Sequence, residues 1–333
     1  MREAVIVAAA RSPIGSLRGL GPADVLSSVV RAALDRVPAL EPACTDDLYV
    51  GSAYARPDTA VRVAARLGLG GGPTALVSGF AASSMQTARM AVHAIRAGEG
   101  DAYISAGTDS GTPRSSRRGG LAGARCAGGR TREHDDARRA AAEHAAARHR
   151  ISRQEQDDWL LRSRLLAEQA TTAGFYLREI VPVRLPSGRV VDRDAGVAAD
   201  GAAATVILSD VYARELGLTP LARVVATAVA PAVVECVRRA LFQAGLCAGE
   251  VDLWEIDEAS AAETIAAHRS LRIDVARLNV HGGALALGHA AGMTGARIVT
   301  TLLNGLISND LALGLAAVGT PSGQAMSLIV ERL

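Results

Sequence analysis

The stretch that decides the fold is His281-Gly-Gly-Ala-Leu-Ala-Leu-Gly-His289. Its glycines predict a turn that leads into the N-terminus of a helix, expected from about Gly288 to Ile307. A histidine at such a place lies beside backbone N–H groups, where an imidazole usually assists a nucleophile or a developing oxyanion. We therefore predict that His289 is a catalytic acid or base.

Beyond this stretch, the same order of predicted strands and helices occurs twice along the chain, once in each half. Apolar runs predict strands, and apolar residues at helical spacing predict helices. The first half is predicted to contain strands Ala4–Ala10, Asp47–Ser52, Asp101–Ala106 and Ala202–Leu208, with helices Ala23–Val37 and Ala81–Ala97. The second half is predicted to contain strands Ala222–Ala230, Val251–Ile256, Leu311–Val318 and Ala325–Val330, with helix Val233–Ala244. Apolar strands that alternate with helices indicate an α/β fold with buried sheets.

A segment of different composition separates the halves. Residues 114–132 are rich in Gly, Ser and Arg, which predicts a loop. A helix over Asp135–His149 follows, and then a second helix that begins with the capping box Ser152-Arg-Gln-Glu155. We predict a first half over residues 1–209 with a lid-like insert at about 110–201, and a second half over residues 210–333.

The composition excludes several classes of function. The 333 residues carry a net charge of only +2, which argues against a nucleic-acid or membrane partner. The sequence contains no lysine, so Schiff-base and lysine general-base mechanisms are excluded. The cysteines are scattered without a zinc-binding spacing, and no apolar run approaches the roughly 20 residues that a membrane span needs. A reduced cytoplasmic protein without a metal is expected.

The duplicated halves and four short motifs resemble the thiolase superfamily over nearly the whole chain. The motifs are Arg11-Ser-Pro-Ile-Gly15, Ile151-Ser-Arg-Gln-Glu-Gln-Asp157, Gly282-Gly-Ala-Leu-Ala-Leu-Gly-His289 and Gly292-Met-Thr-Gly-Ala-Arg297. The resemblance implies a thiolase-like fold of two βαβαβαββ halves, with a shortened loop subdomain inserted in the first. Thiolases make or break a carbon–carbon bond between acyl thioesters of coenzyme A (CoA) by way of an acyl-cysteine. They pair through the edges of their sheets, so a homodimer, or a heteromer with a related chain, is expected.

The departures from the family pattern decide the functional prediction. Ala81, in Val77-Ser-Gly-Phe-Ala81, holds the place of the nucleophilic cysteine, and Ala317 is assigned to the place of the second cysteine. The motif Asn-Glu-Ala-Phe of the family is replaced by Asp257-Glu-Ala-Ser260. Engineering of both alanines would not explain these further departures. An alanine cannot form an acyl-enzyme, so the covalent route is closed.

The remaining groups define a predicted site. His289 and Asp257 are the predicted acid/base groups, and the backbone N–H groups of Ala81 and Gly319 are the predicted oxyanion donors. The alternative for His289 is a structural residue that caps its helix, and for Asp257 a cap of the helix that follows its strand. Ala317, Gly283 and Ser84 complete the predicted pocket, Ser84 being also a weak candidate for a substitute nucleophile. His281 is expected to be structural, and Cys236 to be a buried, inert thiol.

Two classes of function stay open. The preferred one is an enzyme that binds an acyl thioester of CoA or of carrier-bound phosphopantetheine, with no tightly bound cofactor, and uses non-covalent Claisen-type, aldol or acyl-transfer chemistry. Arg114, Arg117 and Arg118 are candidates for the phosphates, although such charge runs are usually solvated loops. The alternative is a pseudoenzyme subunit that partners an active thiolase or ketosynthase. A pocket open enough for pantetheine favours the enzyme, and a cavity filled by side chains favours the pseudoenzyme.

Overall fold

The computed structural model describes residues 2–70, 72–110, 132–196, 200–320 and 323–333, with only the backbone for residues 132–135. The first half opens with alternating strands and helices. In chain order these are β1 (Ala4–Arg11), α1 (Pro22–Asp35), β2 (Asp47–Gly51), α2 (Thr59–Leu67), β3 (Thr74–Val77), α3 (Ser83–Ala97) and β4 (Ala102–Asp109).

The insert and the closing strand of the first half follow. The insert contains α4 (Arg132–His149), α5 (Arg153–Thr172) and the short hairpin β5 (Val183–Arg184) and β6 (Val190–Val191). β7 (Gly201–Ser209) closes the half, and α6 (Asp210–Glu215) leads onward. The predicted capping box is confirmed, because Ser152 Oγ accepts from Glu155 N and the Glu155 carboxylate accepts from Ser152 N.

The second half repeats this plan. Its elements are β8 (Ala222–Ala230), α7 (Val233–Ala244), β9 (Leu253–Ile256), α8 (Ala261–Leu271), α9 (Ala284–Leu287), α10 (Thr294–Ser308), β10 (Leu313–Gly319) and β11 (Ala325–Arg332). The helix predicted from about Gly288 to Ile307 is confirmed over Thr294–Ser308, whereas its predicted beginning is wrong. α9 ends before Gly288, whose φ is +100°, and the chain runs through His289 before α10 begins.

The sheet records the duplication directly. Nine of the eleven described strands form one sheet in the order β3-β2-β4-β7-β1-β8-β11-β10-β9, and β5 and β6 pair separately. In each half of this sheet the last strand lies between the first strand and the next-to-last strand. In the second half, an isolated bridge from Trp254 to Leu278 takes the place of β3. The halves join where β1 and β8 pair antiparallel at Val5 and Arg223. The predicted α/β class is confirmed.

Helices cover the sheet in layers that the strand alternation explains. Successive side chains of a strand point to opposite faces, so Ile6 packs in the cluster with α3 and α10, whereas Val7 packs in the cluster with α1 and α2. In the second half, residues of β8 and β10 divide between that same α3/α10 cluster and a cluster with α7 and α8. The helices α3 and α10 therefore lie together between the two halves.

A buried charge network ties the insert to both halves. Arg11, at the end of β1, is fully buried, and its Nε donates to Glu179 Oε1 at 2.6 Å. Its terminal nitrogens donate to both carboxylate oxygens of Asp194 at 2.9 Å. Glu179 also accepts from Thr301 and Asn304 of α10. Burial alone would lower the pKa of Arg11, but the two carboxylates outweigh it and raise the pKa.

Within the residues that the structure covers, no helix is both long enough and apolar enough to cross a bilayer. In the same part of the chain, no group of three or more His, Cys, Asp or Glu side chains is arranged to hold a metal ion.

We expect Arg11→Met to lower the free energy of unfolding by about 3–5 kcal/mol, because it leaves two buried carboxylates without their cation. Arg153→Met is the matched control, since Arg153 is 83% exposed in its ion pair with Asp157, and its effect should stay below about 0.5 kcal/mol. Urea unfolding followed by circular dichroism at neutral pH measures both variants. Equal effects would contradict the structural role of Arg11.

Candidate active site

The N-termini of α3 and α10 meet at the centre of the molecule. Each helix is preceded by a 3₁₀ turn, Phe80–Ala82 before α3 and Ala291–Met293 before α10. A Cβ at Gly292 would lie 2.5 Å from Ser52 Cα, and one at Gly107 of β4 would overlap the Gly292 carbonyl. Only glycine allows this approach, which brings the two helix beginnings, and the positive ends of their dipoles, to one place.

His289 lies immediately before the second of these turns. Its Nε2 is 3.2 Å from Asp257 Oδ2 and 3.3 Å from Thr294 Oγ1. A carboxylate can only accept, so Nε2 carries the hydrogen. The Thr294 hydroxyl donates to the carbonyl of Ala290 at 3.0 Å. No described residue forms a hydrogen bond with Nδ1, so the structure leaves this nitrogen for proton transfer.

Asp257 follows the last residue of β9. Its backbone N donates to Ala317 O at 2.9 Å, which extends the pairing of β9 with β10 and fixes the carboxylate at the strand end. Burial alone would raise the pKa of Asp257, but the charge of His289 and their hydrogen bond outweigh burial and lower it. The structure thus brings together the two residues that the sequence predicts as acid and base.

A small cavity of about 30 Å³ lies beside Asp257. Gly319 lines it, as do Arg138 of α4 and Glu263 of α8. Arg138 Nη2 donates to the carbonyl of Ala259 at 3.1 Å, so the insert closes over the strand ends. Burial raises the pKa of Glu263. Gly319 therefore lies where the sequence predicts a pocket residue.

Two predicted pocket residues, Ala317 and Gly283, lie outside the described lining of the cavity. Ala317 is fully buried in the cluster with α7 and α8, and Gly319, two residues further along β10, lines the cavity instead. Gly283 packs against Glu258 instead of lining the cavity. A Cβ at this position would overlap the carboxylate of Glu258. Its N–H donates to Ser163 Oγ at 3.0 Å. Gly283 therefore serves the close packing of the insert.

Ser84 also lies outside the described lining of the cavity, and Ala81 lies in the turn before α3. The Ser84 side chain is fully buried, and its Oγ accepts from Ala296 N of α10 at 2.9 Å. The hydroxyl joins the two helices and does not face the cavity beside Asp257. Ala81 lies in the turn before α3 with its methyl group in the α3/α10 cluster.

Glu258 and Arg138 are the residues that the sequence reasoning missed. Glu258 accepts from Trp159 Nε1 at 3.0 Å and from Ser163 Oγ at 2.7 Å, and both donors lie on α5 of the insert. In the sequence, the position of Glu258 next to Asp257 indicates only the end of a strand and does not indicate its partners. Arg138 belongs to an Ala- and Arg-rich helix whose pattern does not distinguish one arginine from another.

The remaining predicted residues lie elsewhere. Cys236 Sγ is within hydrogen-bond distance of Ala228 O and Ser327 Oγ, at 3.2 Å from each, and burial raises the pKa of its thiol. The prediction that Cys236 is buried is confirmed. His281 stacks on Phe175 with ring centroids 3.6 Å apart, and burial lowers its pKa to about 4, as a structural residue would show. Cys126 and the three predicted phosphate ligands Arg114, Arg117 and Arg118 lie outside the described residues.

Comparison with known families settles the resemblance. Residues 4–206 match the model of the thiolase N-terminal domain, and residues 218–332 match that of the thiolase C-terminal domain. The chain belongs to the thiolase family. The predicted boundary at residues 209 and 210 stays a prediction.

Relatives and solved structures agree with this membership. The 3-ketoacyl-CoA thiolase of Pseudoalteromonas translucida (strain TAC 125) is 31% identical, and the acetyl-CoA acetyltransferase of Escherichia coli (strain K12) is 30% identical, with 100% of each chain covered. The crystal structure of human mitochondrial 3-ketoacyl-CoA thiolase matches with a TM-score of 0.88 at 26% identity and covers 99% of both chains. The same human enzyme in complex with CoA matches with a TM-score of 0.86 at 26% identity, over 100% of this chain and 98% of that one. The thiolase fold is thereby confirmed.

Ser84→Ala tests the structural role of the hydroxyl. It leaves the buried N–H of Ala296 without an acceptor, so we expect the free energy of unfolding to fall by about 1–3 kcal/mol. Ser28→Ala, at an exposed position of α1, is the matched control and should change stability by less than about 0.5 kcal/mol. Urea unfolding measures both. A neutral Ser84→Ala would show that the contact with Ala296 does not stabilise the helix pair.

Acid titration tests the state of Asp257. Its pKa is lowered in the folded protein, so its contribution to stability is complete above the unfolded value, about 3.9, and is lost as the pH falls through the folded value. We therefore expect wild-type stability to fall more steeply below about pH 4 than that of Asp257→Asn. Urea unfolding between pH 3 and pH 7 measures the difference. Identical slopes would mean that the carboxylate is not held ionised.

Proposed function

We propose that this thiolase-family protein acts on an acyl thioester, carried by CoA or by protein-bound phosphopantetheine, without an acyl-cysteine stage. The single observation that carries the proposal is the His289–Asp257 pair at 3.2 Å beside the N-terminus of α10. The relatives are named as thiolases and acetyltransferases of acyl-CoA, which supports the choice of a thioester.

Asp257 orients the imidazole for proton transfer. Its carboxylate accepts the hydrogen of His289 Nε2, which selects the tautomer with a lone pair on Nδ1. Such a pair can take a proton at Nδ1 and return it, and the buried carboxylate stabilises the imidazolium that forms in between. General acid/base catalysis of this kind contributes roughly 10²–10⁴-fold in rate.

The helix beginnings supply the complementary electrophilic groups. The first N–H groups of a helix have no partner within the helix, so the backbone at Ala81, where α3 begins, is suited to bind the oxygen of a polarised thioester carbonyl. Gly319 adds a backbone group beside Asp257. Replacement of a cysteine by Ala81 leaves such backbone donors in place, while it removes the nucleophile. Claisen-type condensation or cleavage, aldol cleavage and direct acyl transfer all need only these groups.

A pseudoenzyme subunit is the second candidate, and one observation favours it. The cavity beside Asp257 is only about 30 Å³, which is room for one or two water molecules rather than for a pantetheine arm. In addition, β3 lies at one end of the sheet and pairs with β2 alone among the described strands. An open edge of this kind suits a second chain, either a copy of this one or an active thiolase or ketosynthase.

Variants of two histidines distinguish the candidates. For the enzyme we expect His289→Ala to lower turnover of an accepted acyl thioester by roughly 10²–10⁴-fold, with dimer formation and thioester binding retained. His149→Ala, on the exposed face of α4, is the matched control and should leave turnover unchanged. Turnover with acetyl- and hexanoyl-CoA is followed by mass spectrometry, binding by calorimetry and assembly by analytical ultracentrifugation. Unchanged turnover in His289→Ala would reject the acid/base role. An absence of heat for every acyl-CoA would favour the pseudoenzyme.

A further inference from the structure

The second oxygen of Asp257 lacks a donor. Oδ2 is bonded to His289, whereas Oδ1 is buried and has no hydrogen-bond partner among the residues that the structure describes. The Asp257 side chain is only 1% exposed, so bulk water does not solvate this atom. A buried acceptor without a partner costs about 1–3 kcal/mol, and more when it is charged. Native proteins usually supply such an atom with a donor, often an ordered water.

The cavity that Asp257 lines matches that need. A buried water needs about 10–15 Å³ of accessible space and two to four polar partners, and the cavity offers about 30 Å³. Arg138 and Glu263 share its lining. The charges of Arg138 and Asp257 both act on the Glu263 carboxyl, so the three polar groups lie close together. The other lining residues are mostly apolar, which confines a water molecule to the polar end.

We propose that this cavity holds a water molecule bound to Asp257 Oδ1, and that this water is the acyl acceptor, so that the protein hydrolyses acyl thioesters. The inference rests on the proposed function and names its acceptor. The water oxygen forms the new carbon–oxygen bond as one of its protons passes to Asp257, and the carbon–sulfur bond breaks. The departing sulfur takes the Nδ1 proton of His289, which enters the cycle as the imidazolium paired with Asp257 and regains this proton from solvent as Asp257 releases its own. The products are a free carboxylic acid and a thiol.

Charge and size both favour water over a second acyl group. A Claisen condensation requires a negatively charged enolate as the nucleophile, and the buried carboxylate of Asp257 would repel it. Water is neutral, and a carboxylate can orient it and accept its proton. The cavity has no room for any pantetheine arm, so in this proposal the thioester carbonyl lies at its mouth and only the acceptor lies within it. The family pattern has an asparagine where this chain has Asp257. The carboxylate of Asp257 therefore suits hydrolysis.

Isotope labelling tests the acceptor directly. The full-length protein is incubated with acetyl-CoA or hexanoyl-CoA in H₂¹⁸O, the thiol is measured with a chromogenic disulfide, and the acid is analysed by mass spectrometry. We expect thiol and acid in equal amounts and one ¹⁸O in each acid molecule from a single turnover. Thiol release that requires a second acyl thioester, with no ¹⁸O in the product, would overturn hydrolysis while acyl transfer by the same site survives. Failure of every thioester to bind would reject the proposed function itself.

Two substitutions test the role of Asp257. Asp257→Asn keeps the shape of the side chain, and we expect it to slow hydrolysis by roughly 10²–10⁴-fold with little change in acyl-CoA affinity. Asp157→Asn, on the surface of α5, is the matched control and should keep the wild-type rate. An Asp257→Asn variant that hydrolyses at the wild-type rate would overturn the assignment.

A crystal structure supplies a readout that does not depend on activity. At about 1.5 Å resolution we expect an ordered water within hydrogen-bond distance of Asp257 Oδ1, and its loss or displacement in Asp257→Ala. A dry cavity, or one that a protein side chain fills, would overturn the proposed water site.

Discussion

The close approach of α3 and α10 is the constraint on which the rest of the structure depends. Gly107 and Gly292 leave no space for a Cβ between β4 and the turn before α10, and Ser84 bonds to the backbone of α10 across the same contact. Because the two halves are similar, their helix N-termini arrive at one point from opposite sides. His289 lies five residues before the first residue of α10, and Ala81 lies two residues before the first residue of α3. The site therefore exists because two small-residue contacts allow two helices to begin side by side.

Given this arrangement, the side chains at positions 81 and 257 differ in what stabilises them. A methyl group at Ala81 needs no partner, but a carboxylate at Asp257 does, because it is buried. Burial alone would raise its pKa, but His289, together with the charges of Arg297 and Arg138, outweighs burial and lowers it. Removal of His289 would leave a buried charge, and removal of Asp257 would free the imidazole to turn. The hydrogen bond between Asp257 and His289 thus holds both side chains in place. A neutral amide at position 257 would hold the imidazole only weakly.

The sequence predicts the parts of the fold that depend on local pattern, and it fails where long-range packing decides. The apolar strands and the duplication follow from residue spacing, so the sheet is confirmed. The helix predicted through His289 is wrong because Gly288 adopts a positive φ that a periodicity argument does not include. The burial of Ser84 depends on its contact with α10. The location of Ala317 depends on which face of the sheet its side chain points to from β10. Arg138 reaches the cavity only because α4 docks on α8, and nothing in its own helix indicates that.

The two consecutive acidic residues at the end of β9 show how chemistry and architecture are coupled. Asp257 faces His289 and the cavity, whereas Glu258 accepts hydrogen bonds from Trp159 and Ser163 of the insert. The insert also carries Arg138, which lines the cavity. The hydrogen bonds from Trp159 and Ser163 to Glu258 hold the insert against the strand end, and they therefore help to keep Arg138 at the cavity. Such a fixed, small space favours a small acceptor and disfavours a second thioester arm.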